Sequence, residues 1–269
     1  MTSTKVATRP PSPKELMQAR LERLTPAIAQ IAAKHIDPDR MMKMALMACE
    51  RVPQLMECSP KSLFMGLLQA SEMGLEVGSG FGHAYLLPFK GQATLVVGYQ
   101  GYVELIARTG RTVRAANVFE GDEFSYEEGT APRIVHRPNL AMPRTPATLL
   151  YAYAVGHNIA GGPPVMTVMT KVEVEAVRQR SPSKNAASSP WTTDYLAMAL
   201  KSPIRRLAKM LPKSRELAQA LDIDENPESE SVSQWQTTLD RALSGEPDGP
   251  IGALAESSGS EVAGETYDR

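Results

Sequence analysis

Cysteine, aromatic residues and long apolar runs are all scarce in this chain of 269 residues. Each scarcity removes a class of function. The two cysteines, Cys49 and Cys58, lack CxxC or Cys/His ligand spacing. They read as free thiols of a reducing compartment, not as a disulfide framework or a zinc site. The four histidines, His35, His83, His136 and His157, are scattered, which argues against a metal centre. No stretch approaches the roughly 18 uninterrupted apolar residues of a membrane span. The opening MTSTKVATRPPSPKE has no apolar signal-peptide core, so a cytoplasmic protein is expected. The glycine-rich Gly74–His83 is followed by no Gly-Lys-Ser/Thr, and His83 stands where GxGxxG needs its last glycine. Nucleotide binding, and ATP dependence with it, is therefore not expected. Neither GxSxG nor HExxH occurs.

What the chain does have is polarised charge. The formal net charge of −1 averages two opposed parts. Residues 222–269 hold 12 Asp/Glu against 2 Lys/Arg, a net −10, which leaves residues 1–221 at +9. The densest basic stretch is 171–215, with 10 Lys/Arg and 3 Asp/Glu. A basic body fits a polyanion partner, since neutralising phosphates releases condensed counterions; a solvated surface with a solubilising tail fits the same numbers.

Local signals divide the chain into an arm at 1–12, a body at 13–221 and a tail at 222–269. Helical apolar spacing runs from Pro13 to about Ala33. Asp37-Pro38 and Ser59-Pro60 each read as an N-cap followed by proline at the first helical position, and Gly74 is placed to end the second of these helices. Residues 84–97 predict a hairpin turning at Lys90-Gly91, and 99–109 a short helix closed by Gly110. Strands are expected at Arg111–Glu120, Glu123–Glu127, Arg133–Arg137, Thr148–Ile159 and Val165–Met169. Thr170-Lys171-Val172-Glu173 is a capping box. Ser181–Pro190 has loop composition. Trp191 leads into a last long helix ending at Leu211, where Ser202-Pro203 predicts a kink or a restart capped by Ser202. A short helix at Ser214–Leu221 closes the body. The tail, poor in large apolar groups, is expected to be mostly disordered, with an amphipathic docking segment at Val232–Leu243.

The chemistry concentrates in that last long helix. Leu196, Leu200, Ile204, Leu207 and Leu211 mark a packed face, while Lys201, Arg205 and Lys209, with Arg206 beside them, form a ladder about 6 Å apart along the axis. No acid interrupts it between Asp194 and Glu216, as a solvated helix face normally would. Arg178, Arg180 and Lys184 extend the basic track, as do Arg108, Arg111 and Arg114, and Lys90 at the hairpin turn joins the candidate set. Tyr99 and Tyr102 offer faces for base stacking or, equally, core packing, and Gln100 offers a neutral donor and acceptor. The acidic cluster Glu120, Asp122 and Glu123 could hold Mg²⁺ in a nuclease, but its Gly121-Asp122 core fits a hairpin turn better.

The segments HIDPDRMMKMAL, LLQASEMGLEVGSGFGHAYLLPFKG, VVGYQGYVELIARTGR, VFEGDEFSYEEG, RIVHRP, VMTKVEVEAVRQRS and PWTTDYLAMALKSPIRRLAKMLP occur in this order. Together they resemble the RecT family of phage and prophage recombinases and, more distantly, the Redβ-like annealing proteins. The resemblance covers about Leu24 to Leu221. It implies a mixed α+β fold, with N-terminal helices, a central hairpin-rich antiparallel sheet and C-terminal helices lining a basic groove. It also implies an ATP-independent, non-catalytic protein that anneals single-stranded DNA and assembles into rings or helical filaments. The family's basic positions carry over to Arg108, Arg111, Arg137, Lys184, Lys201, Arg205, Arg206 and Lys209, with the Gly98–Tyr102 glycines letting backbone and tyrosines approach the strand. Gln100 departs from a commonly basic position and Met210 from a commonly aromatic one. No cofactor is implied, with Mg²⁺ assisting without a dedicated protein site. The expected partners are single-stranded DNA, the annealed duplex, further copies of the chain, and a phage 5′–3′ exonuclease or host single-strand binding protein at the C-terminal region.

Overall fold

A computed structural model describes residues 37–225 apart from Ser79, Pro182, Ser183, Ala187 and Ser188, together with scattered positions between Ser12 and Thr25. The expectations for the N-terminal arm, most of the first helix, part of the 181–190 loop and the tail from 226 onward lie outside these residues.

Two prolines start the first helices. Helix α1, Pro38–Arg51, opens on Asp37, whose carboxylate accepts the Asp39 N–H. A 3-10 turn at Pro53–Glu57 leads to α2, Pro60–Glu72, where Ser59 stands at the N-cap without a side-chain capping bond. Gly74, at φ 63°, ends α2 where a side chain would be strained. Met41, Met42, Cys49, Phe64, Leu67 and Met73 form the centre of the main core, so the methionine-rich region is packing material.

Strands β1, Ala84–Phe89, and β2, Gln92–Val97, pair antiparallel from Ala84–Val97 to Phe89–Gln92. Both turn residues, Lys90 at φ 49° and Gly91 at φ 74°, are left-handed, the conformation of a two-residue hairpin turn. Helix α3, Tyr99–Ala107, follows at once. A second sheet has the order β3–β6–β7, with β3 Arg111–Phe119, β6 Leu149–Asn158 and β7 Val165–Thr170, all antiparallel. Between β3 and β6 in the chain comes a separate hairpin, β4 Glu123–Glu127 paired with β5 Arg133–Arg137, whose Phe124 stacks on Tyr151 and Tyr153 of β6. The fold is therefore mixed α+β, as expected, with its strands in three antiparallel sheets.

Helix α4, Lys171–Arg180, carries the predicted capping box: Thr170 Oγ1 accepts the Glu173 N–H, and Glu173 accepts the Thr170 N–H. A single helical turn α5, Pro190–Thr193, buries Trp191 against Phe119, Leu149, Ala152, Met169 and Ala199 in a second, smaller core. Helix α6, Tyr195–Met210, packs across β6, β7 and β3. Pro203 neither stops nor restarts it. The Ser202 hydroxyl donates back to the Met198 carbonyl at 3.0 Å instead of capping a new segment. Pro203 and Ile204 are buried, so tertiary packing outweighs the lost backbone bond. Helix α7, Arg215–Glu225, runs four residues beyond the Leu221 boundary read from the sequence. Ile223 is buried in the main core, and this burial carries the helix into residues that composition alone assigns to the acidic tail.

Candidate nucleic-acid interface

A cleft of about 1720 Å³ lies between the β1–β2 hairpin and the helices α4 to α7. Six candidate cations line it: Lys90 from the hairpin turn, Arg180 and Lys184 from the end of α4 and its loop, and Lys201, Arg205 and Lys209 from α6. The 4-residue spacing on α6 aligns the last three along one side of the helix, next to its packed face. Apolar backing comes from Leu87, Val96, Val177 and Met198.

The cleft also holds acids. Lys201, with a side chain only 10% exposed, places Nζ 2.8 Å from Asp224 Oδ2 and 5.7 Å from the centroid of the Tyr102 ring. Arg205 Nε lies 3.7 Å from the same oxygen, and its Nη2 lies 3.7 Å from Glu225. Lys209 pairs with Glu225, and this contact holds the Glu225 carboxyl below its usual range. The ladder expected from the sequence is thus present for three of its four members, with α7 laid along it.

The fourth, Arg206, points elsewhere and bonds Glu173 at 2.8 Å; the Thr170 backbone N–H and then Arg206 lower the Glu173 pKa. Several other candidates take structural roles. Tyr102 is completely buried, and its hydroxyl hydrogen is shared between the Ala220 carbonyl at 3.0 Å and Asp224 at 2.9 Å. It has no free face for a base; burial first, then the Asp224 charge, raises its pKa well above the ordinary phenol value. Tyr99 is half-buried against the main core, and Gln100, though exposed, lies outside the cleft. Arg108 donates to the carbonyls of Met73 and Gly74 and pairs with Glu104, tying α3 to the end of α2. Arg111 donates to the Thr109 carbonyl. Arg137 pairs with Glu123 on the β4–β5 hairpin, and Arg178 with Glu175. None of these lines the cleft.

The Gly98–Tyr102 glycines have an internal purpose. A Cβ on Gly98 would sit 2.1 Å from the Gly82 carbonyl oxygen, and one on Gly101 would sit 2.3 Å from that of His83. Two backbone segments meet there at a distance no side chain permits, and the Gly98 N–H donates to the His83 carbonyl at 2.9 Å. The glycines close helix α3 onto the preceding loop; that close approach, and not contact with a DNA strand, is what the geometry requires.

The acidic cluster resolves as a turn. The Asp122 side chain is covered and accepts from the Phe119 N–H and Asn139 N–H, both at 2.8 Å, and from Arg144 Nη1 at 3.1 Å; His136 Nε2 is also 3.1 Å away. Burial alone would raise its pKa, but these four partners outweigh it and hold the carboxyl far below the usual range. Its neighbour Glu123 faces outward to Arg137. Among the described residues no group of three His, Cys, Asp or Glu could hold a metal ion.

Comparison with known proteins agrees with the motif reading. The profile of the RecT family matches residues 39–236. The protein RecT of Escherichia coli (strain K12) is 37% identical over 225 residues, covering 80% of this chain and 77% of that one. The chain belongs to the RecT family. The uncharacterized protein YqaK of Bacillus subtilis (strain 168) is 23% identical over 153 residues, covering 56% of this chain and 51% of its own.

Within this RecT-family protein, sequence reasoning missed Asp224 and Glu225 as groove residues. Their sequence signal was misleading, because composition groups them with the tail. The available cue was the helical spacing of Leu217, Ala220, Leu221 and Ile223, which continues past Leu221. No helix among the described residues is long and apolar enough to cross a membrane.

Proposed function

We propose that this protein binds single-stranded DNA by its phosphates in the α6 cleft and anneals complementary strands without nucleotide fuel. The observation that carries this reading is the convergence of six cations from three separate elements on one apolar-backed cleft in a RecT-family chain. Pairing of complementary strands is downhill, with stacking worth about 1.4 kcal/mol per step, so no ATP is needed. Phosphate repulsion and secondary structure within each strand slow it. A cationic track removes the repulsion, and a backbone held extended leaves bases free to test register. Phosphate contacts carry no base information, so binding is indifferent to sequence. Assembly of many copies into a ring or filament lays such tracks end to end and turns weak contacts into stable retention. An exonuclease or a single-strand binding protein engages the C-terminal region, the protein acts in the cytoplasm, and it makes no bonds itself.

The test mixes two complementary dye-labelled oligonucleotides with and without protein, in the absence of nucleotide, and follows energy transfer. Accelerated pairing is expected. Binding without acceleration would identify a passive protector of single strands instead.

A further inference from the structure

Asp224 Oδ2 is surrounded as a phosphate oxygen would be. Three donors from two helices converge on this one atom: Lys201 Nζ at 2.8 Å, the Tyr102 hydroxyl at 2.9 Å and Arg205 Nε at 3.7 Å. The fit is incomplete, since Arg205 Nε is buried with no hydrogen bond. A carboxylate brings two oxygens to this corner of the cleft; a phosphodiester with more acceptor positions could reach the idle donor as well. One helical position on, Glu225 repeats the arrangement with Lys209 and Arg205. The two acids therefore occupy all three cations that α6 contributes to the cleft.

From this we infer that the C-terminal turn of α7 is an internal mimic of the DNA backbone, seated on the phosphate sites of α6 and displaced when a strand enters. The inference rests on the proposed function and adds its regulation. DNA cannot use Lys201, Arg205 and Lys209 while Asp224 and Glu225 hold them, because two anions cannot share one set of donors at close range. The protein's apparent affinity is then the affinity of the open cleft reduced by the fraction of molecules in which the turn has left. The last turn is suited to leaving. Upstream, Leu217, Ala220, Leu221 and Ile223 anchor α7 in the core, whereas Glu225 is half-exposed and follows the last buried apolar residue of the helix. Unwinding one turn releases both acids and lifts Ile223 from the core, while Leu217, Ala220 and Leu221 stay seated. Such a device favours long strands, whose phosphates compete along the whole cleft, over short fragments and stray anions.

The test uses the full chain and a dye-labelled oligo-dT read by fluorescence anisotropy at several salt concentrations. Glu225→Gln removes one competitor from a half-exposed position, and the double variant Asp224→Asn, Glu225→Gln removes both. We expect binding about two- to fivefold tighter for E225Q, the range an exposed ion pair supports. Hydrogen exchange provides the second readout, with amides of residues 222–225 losing protection when oligo-dT is added to the wild type. If wild type binds and anneals but E225Q binds no tighter, or the turn stays protected with DNA bound, the mimic is overturned while the annealing function stands. If wild type and both variants alike fail to bind oligo-dT at low salt, the proposed function itself falls, and the mimic with it.

Discussion

Arg205 and Arg206 are adjacent, identically charged and on one helix, yet only Arg205 lines the cleft. Successive residues of a helix project about 100° apart. Arg205 is accordingly directed at Asp224 and Glu225, and Arg206 at Glu173 on α4. Replacing each by alanine separates a phosphate contact from a mere change in net charge. If six cleft cations each neutralise one phosphate, the logarithm of the binding constant should fall with the logarithm of salt with a slope of about −4, at roughly 0.7 per contact on single strands. Arg205→Ala should reduce the slope by about 0.7. Relative to wild type, the variant's affinity would then depend less on salt by about 2.5-fold between roughly 50 and 200 mM. Arg206→Ala should leave the slope unchanged and at most shift all affinities slightly through long-range field. Anisotropy titrations of oligo-dT over that salt range measure both. Equal slope changes for the two variants, or a change confined to Arg206→Ala, would remove the α6 face from DNA binding and refute the assignment of the cleft.

Asp122→Asn removes the charge from a four-partner carboxylate and should cost about 1–3 kcal/mol in urea denaturation, because His136 and Arg144 lose the charge they face. The pH dependence has a definite sign. A carboxyl held below its unfolded value of about 3.9 contributes stability that is present above that pH and lost as pH falls toward the folded value, so wild-type stability should drop on acidification by more than that of Asp122→Asn. Gly98→Ala drives a methyl to 2.1 Å from the Gly82 oxygen and should destabilise by about 1–3 kcal/mol, measurable as a lowered Tm. Tyr102→Phe should lose about 1–2 kcal/mol of stability through its hydroxyl partners while leaving oligonucleotide-induced quenching unchanged, because the ring is buried; loss of quenching would place it at the strand.

The two readings of the molecule divide along a physical line. Residues close in sequence settled the caps at Asp37 and Thr170, the left-handed Lys90-Gly91 turn, the stop at Gly110 and the strand limits to within a residue or two, because these depend on hydrogen bonds and backbone preferences of four to six neighbours. The 4-residue spacing of Lys201, Arg205 and Lys209 likewise put three cations on one face before any fold was known. The period alone could not say what lay opposite that face. Arg108 became a tie between helices, Tyr102 a core residue and Asp122 an internal anchor through partners 14 to 122 positions away. Asp224 shows the limit most clearly. Its composition assigns it to the tail, but burial of Ile223 extends α7 and carries it onto Lys201. Charge pattern and local geometry are properties of the chain; which charges meet is decided only when the apolar surface is buried, since that burial sets where each helix ends and what it faces.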